Sequence, residues 1–348
     1  VARSTPRRPT LADVARLAGM SPAAVSLILN DRPGSRLSEE AAERVRAAAK
    51  ELGYRPNPAA QSLRLGRTRT IGFVSDQVTL TRYASGMIGG VLDAARSHGN
   101  TVLLAEVGAH GSLTGAAREL TDRRVDGLLI GLMAARMITA PSLPEGLPFV
   151  LINGVTSEGH PHVLPDERRA GQSVAAHLLD RGHRRIGIVG DLPESFEDLR
   201  VSATIHQRFI GMNETFAEAG ITPARIGVPR WEPEIGYEYA GRLLDEHPGL
   251  TAIVAGNDNV AFGIYQAAAA RRLRIPEDFS LISFADEELA GYVRPGLTTA
   301  RLPYEEMGRR GVEMLLGDAE REPTLLPMPL ITRGSVRSLS DPDTEPGA

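Results

Sequence analysis

The side chains whose types and spacing could do chemistry are cationic, and they gather at one end. Residues 1–70 carry 13 Lys and Arg against 6 Asp and Glu, a net +7, which leaves 26 against 37, a net −11, for the remainder. A compact basic module on an acidic body is the electrostatic footprint of a protein that presents one end to a polyanion. A merely solvated charged face is the plain alternative. Catalytic constellations do not compete with this reading. With no cysteine there is no disulfide framework, no Cys-ligated zinc and no thiol nucleophile. The 8 histidines are scattered, and no G-x-G-x-x-G follows the first strand of the body. Nor is there a G-x-S-x-G elbow, a P-loop or an H-E-x-x-H. Neither a metal, a cofactor nor an enzymatic activity is expected.

At 348 residues and 42% hydrophobic content, the chain suits one small domain plus a larger bilobal one. No apolar run reaches membrane-spanning length, and no apolar segment follows Val1 to Pro6, so a soluble, cytoplasmic protein without a membrane partner is expected. In the basic module, Thr10 with Asp13 makes a capping-box-like start. Leu11, Val14, Ala15 and Ala18 then recur at helical spacing, with Gly19 as a left-handed stop. Ser21 as N-cap and Pro22 at the first helical position begin a second helix, with Val25, Ile28 and Leu29 inward. A third starts at Ser38, has Glu39 and Glu40 in its first turn and packs Ala41, Val45, Ala48, Ala49 and Leu52 inward. This is a helix-turn-helix layout, although any small helical bundle shares its periodicity. Asn57, Pro58 and Gly66 then bound a helix of two turns, too short to be stable alone in water.

The run Thr10-Leu11-Ala12-Asp13-Val14-Ala15, Ala18-Gly19-Met20-Ser21, Val25-Ser26 and Leu29-Asn30 resembles the head of the lactose-repressor (LacI/GalR) family. So does Glu51-Leu52-Gly53-Tyr54-Arg55-Pro56-Asn57. The resemblance implies a DNA-binding transcription regulator, acting as a homodimer on a pseudo-palindromic operator. It implies DNA contacts from Thr10, Leu11, Ser21, Pro22, Ala23, Ala24, Ser26, Leu27, Asn30 and Tyr54. It also implies contacts from Asn57, Ala60, Gln61 and Leu63 of a hinge helix, Leu63 being a minor-groove wedge. Family members usually have Thr where Ala24 stands and Arg where Leu27 stands. Readout at Pro22, Ala23 and Leu27 is then expected to be largely apolar, with either an operator different from that of the Arg-bearing members or more of the specificity carried by bending at the central step.

From Thr70 short buried strands alternate with amphipathic helices, as in Ile71-Gly72-Phe73-Val74 and Gly127-Leu128-Leu129-Ile130, and the cycle restarts after Asp166. Such alternation predicts two similar parallel-sheet lobes. Arg124-Val125-Asp126-Gly127-Leu128, Gly182-His183-Arg184-Arg185-Ile186, Gly256-Asn257-Asp258 and Arg294-Pro295-Gly296-Leu297-Thr298-Thr299 extend the resemblance over the body. The fold class implied is an N-terminal all-α helix-turn-helix domain plus an α/β bilobal periplasmic-binding-protein-like domain of Rossmann-like lobes. Its ligand cleft lies at the strand C-terminal ends. The expected division is a disordered basic arm over 1–9, the helix-turn-helix over 10–56, the hinge over 57–66, the bilobal domain over 67–338 and a disordered tail over 339–348. Within the bilobal domain, lobe 1 is expected at about 70–165 and 298–326, lobe 2 at about 166–294 and 327–338, with crossings near Asp166, Arg294 and Leu326.

Carried over position by position, the family's effector site falls on Asp76, Asn153, Arg208, Trp231, Asn257 and Ala285. These types suit a sugar, nucleoside or related polar metabolite: fixed hydrogen bonds from Asp, Asn and Arg, and stacking on the one Trp. Taken alone, Arg208 reads equally as a surface ion pair and Trp231 as core. Ala285 departs from the family's usual aspartate, with Asp286 next. The tail lacks leucine heptads, so a dimer and not a tetramer is expected. Leu27→Arg is predicted to shift preference toward a G·C pair in each half-site, through a bidentate guanine contact, and selection from a random DNA library checks this.

Overall fold

The computed structural model describes residues 9–29, 38–55, 57, 62, 66–82, 84–108, 111–193, 198–317 and 321–339. Asn30, Ala60, Gln61, Leu63, most of the expected arm and tail, and most of the hinge helix lie outside the described residues. The chain divides into two compact units, Val1–Arg69 and Thr70–Ala348.

In the first unit, α1 (Leu11–Ala18) opens on a reciprocal cap. Thr10 Oγ1 accepts the Asp13 N–H at 3.4 Å, and Asp13 Oδ2 accepts the Thr10 N–H at 2.9 Å. The helix ends at Gly19, whose φ of 66° sends its N–H back to the Ala15 and Arg16 carbonyls. After this tight stop α2 (Pro22–Leu29) leaves at 102° to α1, within the range of helix-turn-helix motifs. Ser38 caps α3 (Glu39–Glu51) by accepting the Ala41 N–H at 3.3 Å. Val14, Val25 and Val45, one from each helix, are fully buried at the centre, each contributing about 1.5–3 kcal/mol of burial.

The second unit holds two six-stranded sheets. The first runs β11 (Thr324–Leu326), β5 (His162–Pro165), β4 (Phe149–Val155), β3 (Leu128–Met137), β1 (Thr70–Asp76), β2 (Thr101–Glu106), all parallel. The second runs β12 (Leu330–Ile331), β10 (Thr298–Arg301), β9 (Ser280–Ala285), β8 (Ala252–Ala255), β6 (Ile186–Asp191), β7 (Ala224–Gly227), with only β12 antiparallel. Buried runs such as Ile71 to Asp76 reflect strands covered by helices on both faces.

Residues 298–301 belong to the second sheet, not the first lobe as expected. β10 pairs with β9 from Thr298↔Ile282 to Arg301↔Ala285, and the Thr299 hydroxyl donates to buried Asp258 at 2.9 Å. These ties hold the chain in the second lobe past Arg294, so it crosses back after Arg301.

Helices pack in pairs by backbone contact. In α6 (Glu167–Leu179) and α7 (Ile205–Glu218), a Cβ on Gly211 would run into the Arg168 carbonyl, and one on Gly171 into the Arg208 carbonyl. The pairs α4 (Ser85–Ser97) with α11 (Tyr304–Leu316), and α8 (Pro233–Glu246) with α9 (Asp258–Ala270), use the same device. Through α11, packed on α4, the chain returns to the first lobe. Among the described residues no single helix is long and apolar enough to cross a membrane. Gly211→Ala must push α7 off α6 and is expected to cost about 1–3 kcal/mol, read as a lowered urea midpoint at unchanged slope.

Candidate functional site

Strand C-terminal ends from both lobes enclose a cavity of about 150 Å³. The first lobe supplies Met133, Ala134 and Ala135 of β3, Asn153 of β4 and Tyr304 of α11; the second supplies Arg208, Trp231, Asn257, Phe284 and Glu287. The segment after β6 closes one side, with Val201, Ser202 and Thr204 in the wall. It is bonded to β3 of the other lobe as a strand would be: the Met137 N–H donates to the Leu199 carbonyl at 2.8 Å, and the Ala203 N–H to the Ala135 carbonyl at 2.8 Å.

Arg208 is 3% exposed, and its charge is met inside the protein. Its Nε and Nη2 donate to the two oxygens of Glu167, each at 2.7 Å, and its Nη1 donates to the Gly256 carbonyl at 2.5 Å. A bidentate fork of this kind is the strong form of an Arg–carboxylate pair. The guanidinium carbon also lies 4.2 Å from the Phe284 ring centre and 5.2 Å from that of Trp231. One further N–H on each terminal nitrogen has no partner among the described residues, which leaves Arg208 able to donate to a ligand.

The other cavity candidates are half committed in the same way. Asn153, at a φ of 63° that Asn tolerates, donates its amide to the Leu132 and Met133 carbonyls at 3.0 Å. Trp231 Nε1 donates to the Gly190 carbonyl at 2.8 Å. Asn257 Oδ1 caps α9 by accepting the Val260 N–H at 2.9 Å. Each is thereby oriented before any ligand arrives. Ala285 lines the cavity with a φ of 120°, strained for a residue with a Cβ.

Asp76 does not join them. It ends β1 outside the cavity wall, with its carboxylate ion-paired to Arg136 near the end of the long β3. Glu167, Glu287, Ser202, Thr204, Tyr304 and Phe284 are cavity residues that the sequence reading did not name. For Glu167 a signal existed, since it directly follows the N-cap Asp166 on the helix facing Arg208. Among the described residues no group of three or more His, Asp or Glu forms a metal-binding set.

In the first unit, α2 carries no charged side chain. Pro22 and Ala23 are exposed, while Ala24, Ser26 and Leu27 are half-buried. Ser21 spends its hydroxyl on the Ala24 N–H at 3.2 Å, and Thr10 on the α1 cap. Leu11 and Tyr54 pack on the three-helix core, where burial pushes the Tyr54 phenol up, and Asn57 is exposed.

Comparison with known proteins fits both units. Residues 10–57 match the model for bacterial regulatory proteins of the lacI family, and residues 175–336 match a periplasmic binding protein-like domain. The ribose operon repressor of Haemophilus influenzae is 31% identical over 316 residues, covering 88% of this chain and 91% of that protein. This chain belongs to the lacI family of bacterial regulatory proteins. The transcriptional repressor PurR of Vibrio cholerae is 30% identical over 342 residues, 95% of this chain and 99% of that one. The lac repressor dimer bound to operator and the anti-inducer ONPF superposes with a TM-score of 0.74 at 25% identity, covering 95% of this chain and 100% of that one. The lacI-family regulator is therefore a DNA-binding transcription factor and not an enzyme.

Two carboxylates beside the cavity are raised. Burial pushes Asp258 up to about 6, against hydrogen bonds from Ser283, the Glu287 N–H and Thr299. Burial, then the Asp258 charge, push Glu287 up to about 7 from an ordinary 4.5. The folded state thus holds protons that the unfolded chain releases, so stability falls as pH rises from about 4.5 to about 7. Glu287→Gln is expected to flatten that part of the slope, measured by urea unfolding at a series of pH values.

Proposed function

We propose that this regulator binds a pseudo-palindromic operator as a dimer and that a small polar metabolite in the cavity sets its operator affinity. The carrying observation is that the cavity wall is shared: Asn153 and Tyr304 come from one lobe, Arg208, Trp231 and Asn257 from the other. A ligand held by both sets of residues stabilises one inter-lobe angle over others, because its contacts exist only at that angle. A coupling on the order of 1–3 kcal/mol is enough to regulate.

In this reading α2 enters the major groove, with Ser21, Pro22, Ala23, Ala24, Ser26 and Leu27 against bases or backbone. The outward Pro22 and Ala23 support that docking, since they offer apolar contact to thymine methyls. Thr10, Leu11, Tyr54, Asn57 and the residues at Asn30, Ala60, Gln61 and Leu63 complete the DNA-facing set by resemblance. Asn153, Arg208, Trp231, Asn257 and Ala285 form the effector-facing set. Asp76 is set aside, because Arg136 already holds its carboxylate. Relatives support a sugar-like ligand: one is named for ribose, and a lacI-family regulator of Enterococcus faecium, with a TM-score of 0.61, carries bound ribose.

The test is a mobility-shift titration on DNA upstream of the protein's own gene, with and without sugars and nucleosides. Specific binding that changes with one metabolite is expected; no preference for any palindromic duplex over random DNA overturns the reading. Replacing the pair together, as Glu167→Leu with Arg208→Met, leaves no buried charge unpaired. That double variant is expected to keep operator binding and lose the metabolite response.

A further inference from the structure

Ala285 and Asp286 both take positive φ, 120° and 56°, in the turn after β9. Asp286 is spent on Arg301 at 2.8 Å and Arg333 at 2.6 Å and is not in the cavity wall. The turn instead brings Glu287 to the wall. Its N–H donates to Asp258 at 2.7 Å, and its carboxylate has the Asn259 amide at 3.4 Å but no cation within ion-pair distance among the described residues. Glu167, Arg208 and Glu287 are the charged residues of the wall. Since Glu167 and Arg208 neutralise each other, Glu287 is, among the described residues, the one charged group of the wall without a counter-ion; raised to about 7, it carries its full negative charge only above that pH, and the Asp258 carboxylate is tied to the same turn.

We propose that Glu287 selects the effector: its carboxylate accepts an O–H or N–H⁺ from a ligand without negative charge, and it turns away phosphorylated or carboxylated compounds. This rests on the cavity being the effector site. A ligand hydroxyl or ammonium gives Glu287 the charge-assisted hydrogen bond it lacks. An anion would meet the ionised Glu287 at short range, where like charges repel. Arg208 does not offset that repulsion, because its charge is already balanced by Glu167, although its two remaining N–H groups still donate to an uncharged acceptor on the ligand.

The experiment is calorimetric or thermal-shift titration of the full chain, at a pH above the value of about 7 to which Glu287 is raised, with D-ribose, glucose, glucosamine and adenosine, set against ribose phosphate, gluconate and adenylate. Binding is expected from a member of the first group and not from its anionic counterpart. Glu287→Gln is expected to weaken that binding about tenfold or more, while unliganded stability is unchanged or higher. Glu277→Gln, at an exposed position outside the cavity wall, should leave affinity alone. An anion as the tightest ligand, or undiminished affinity in Glu287→Gln, overturns the proposal. Asn257→Ser, which keeps a capping oxygen but removes the amide, separates the two failures. If it weakens binding and Glu287→Gln does not, the cavity stands and the Glu287 proposal falls. If neither variant changes binding, or no compound binds, the cavity reading falls with it.

Discussion

The second unit is organised around one buried ion pair. Glu167 and Arg208 are both almost wholly enclosed, and two such charges stay ionised in a protein interior only when their geometry is nearly ideal. That geometry is a matter of helix separation. Because Gly171 and Gly211 bring the α6 and α7 backbones into contact, the carboxylate on the first turn of one helix meets the guanidinium on the first turn of the other. The pair then supports Trp231 and Phe284 through the face of the guanidinium, and it reaches β8's following turn through the Gly256 carbonyl. One side of the cavity is therefore rigid before a ligand arrives, which lowers the ordering cost of binding.

The side facing the first lobe is held differently. Two main-chain hydrogen bonds join the segment after β6 to the end of β3, and β3 shifts register between Gly131 and Arg136 so that its last residues reach across. Bonds of this kind are individually modest in net worth and can exchange with water when the lobes part. A stiff wall built on helix contact thus faces a wall closed by a few exchangeable bonds. That asymmetry fits the ligand-dependent change of lobe angle proposed for the cavity.

How much of this was legible in the residues follows from the range of each interaction. The Thr10–Asp13 cap, the Gly19 stop and the Ser38 cap act within four residues, so the sequence marks them directly. The repeated strand-and-helix cycle marked two lobes for the same reason. The crossing after Arg301 was misplaced because it depends on Thr299 meeting Asp258, 41 residues away. The resemblance alone points Asp76 to the cavity, and its ion pair with Arg136 is not legible because the two lie 60 residues apart. Glu287 was passed over because a pair of left-handed residues re-aims the turn, and nothing in the types Ala285 and Asp286 announces a positive φ.

The uncharged α2 has a consequence for how affinity and specificity divide. In the proposed docking, attraction to phosphates, which supplies most non-specific affinity, comes from cations elsewhere in the basic module, while α2 offers the groove apolar side chains and no charge. Near α1 and α3 several arginines already pair with acids, Arg16 with Asp13 and Arg46 with Glu39, although these pairs are exposed and cheap to exchange for phosphate. A reading helix without a bidentate donor discriminates weakly by hydrogen bonds. With that docking, either the operator differs from that of relatives with an Arg here, or the sequence dependence of bending the duplex carries a larger share, since deformation energy is paid at base steps the protein never touches.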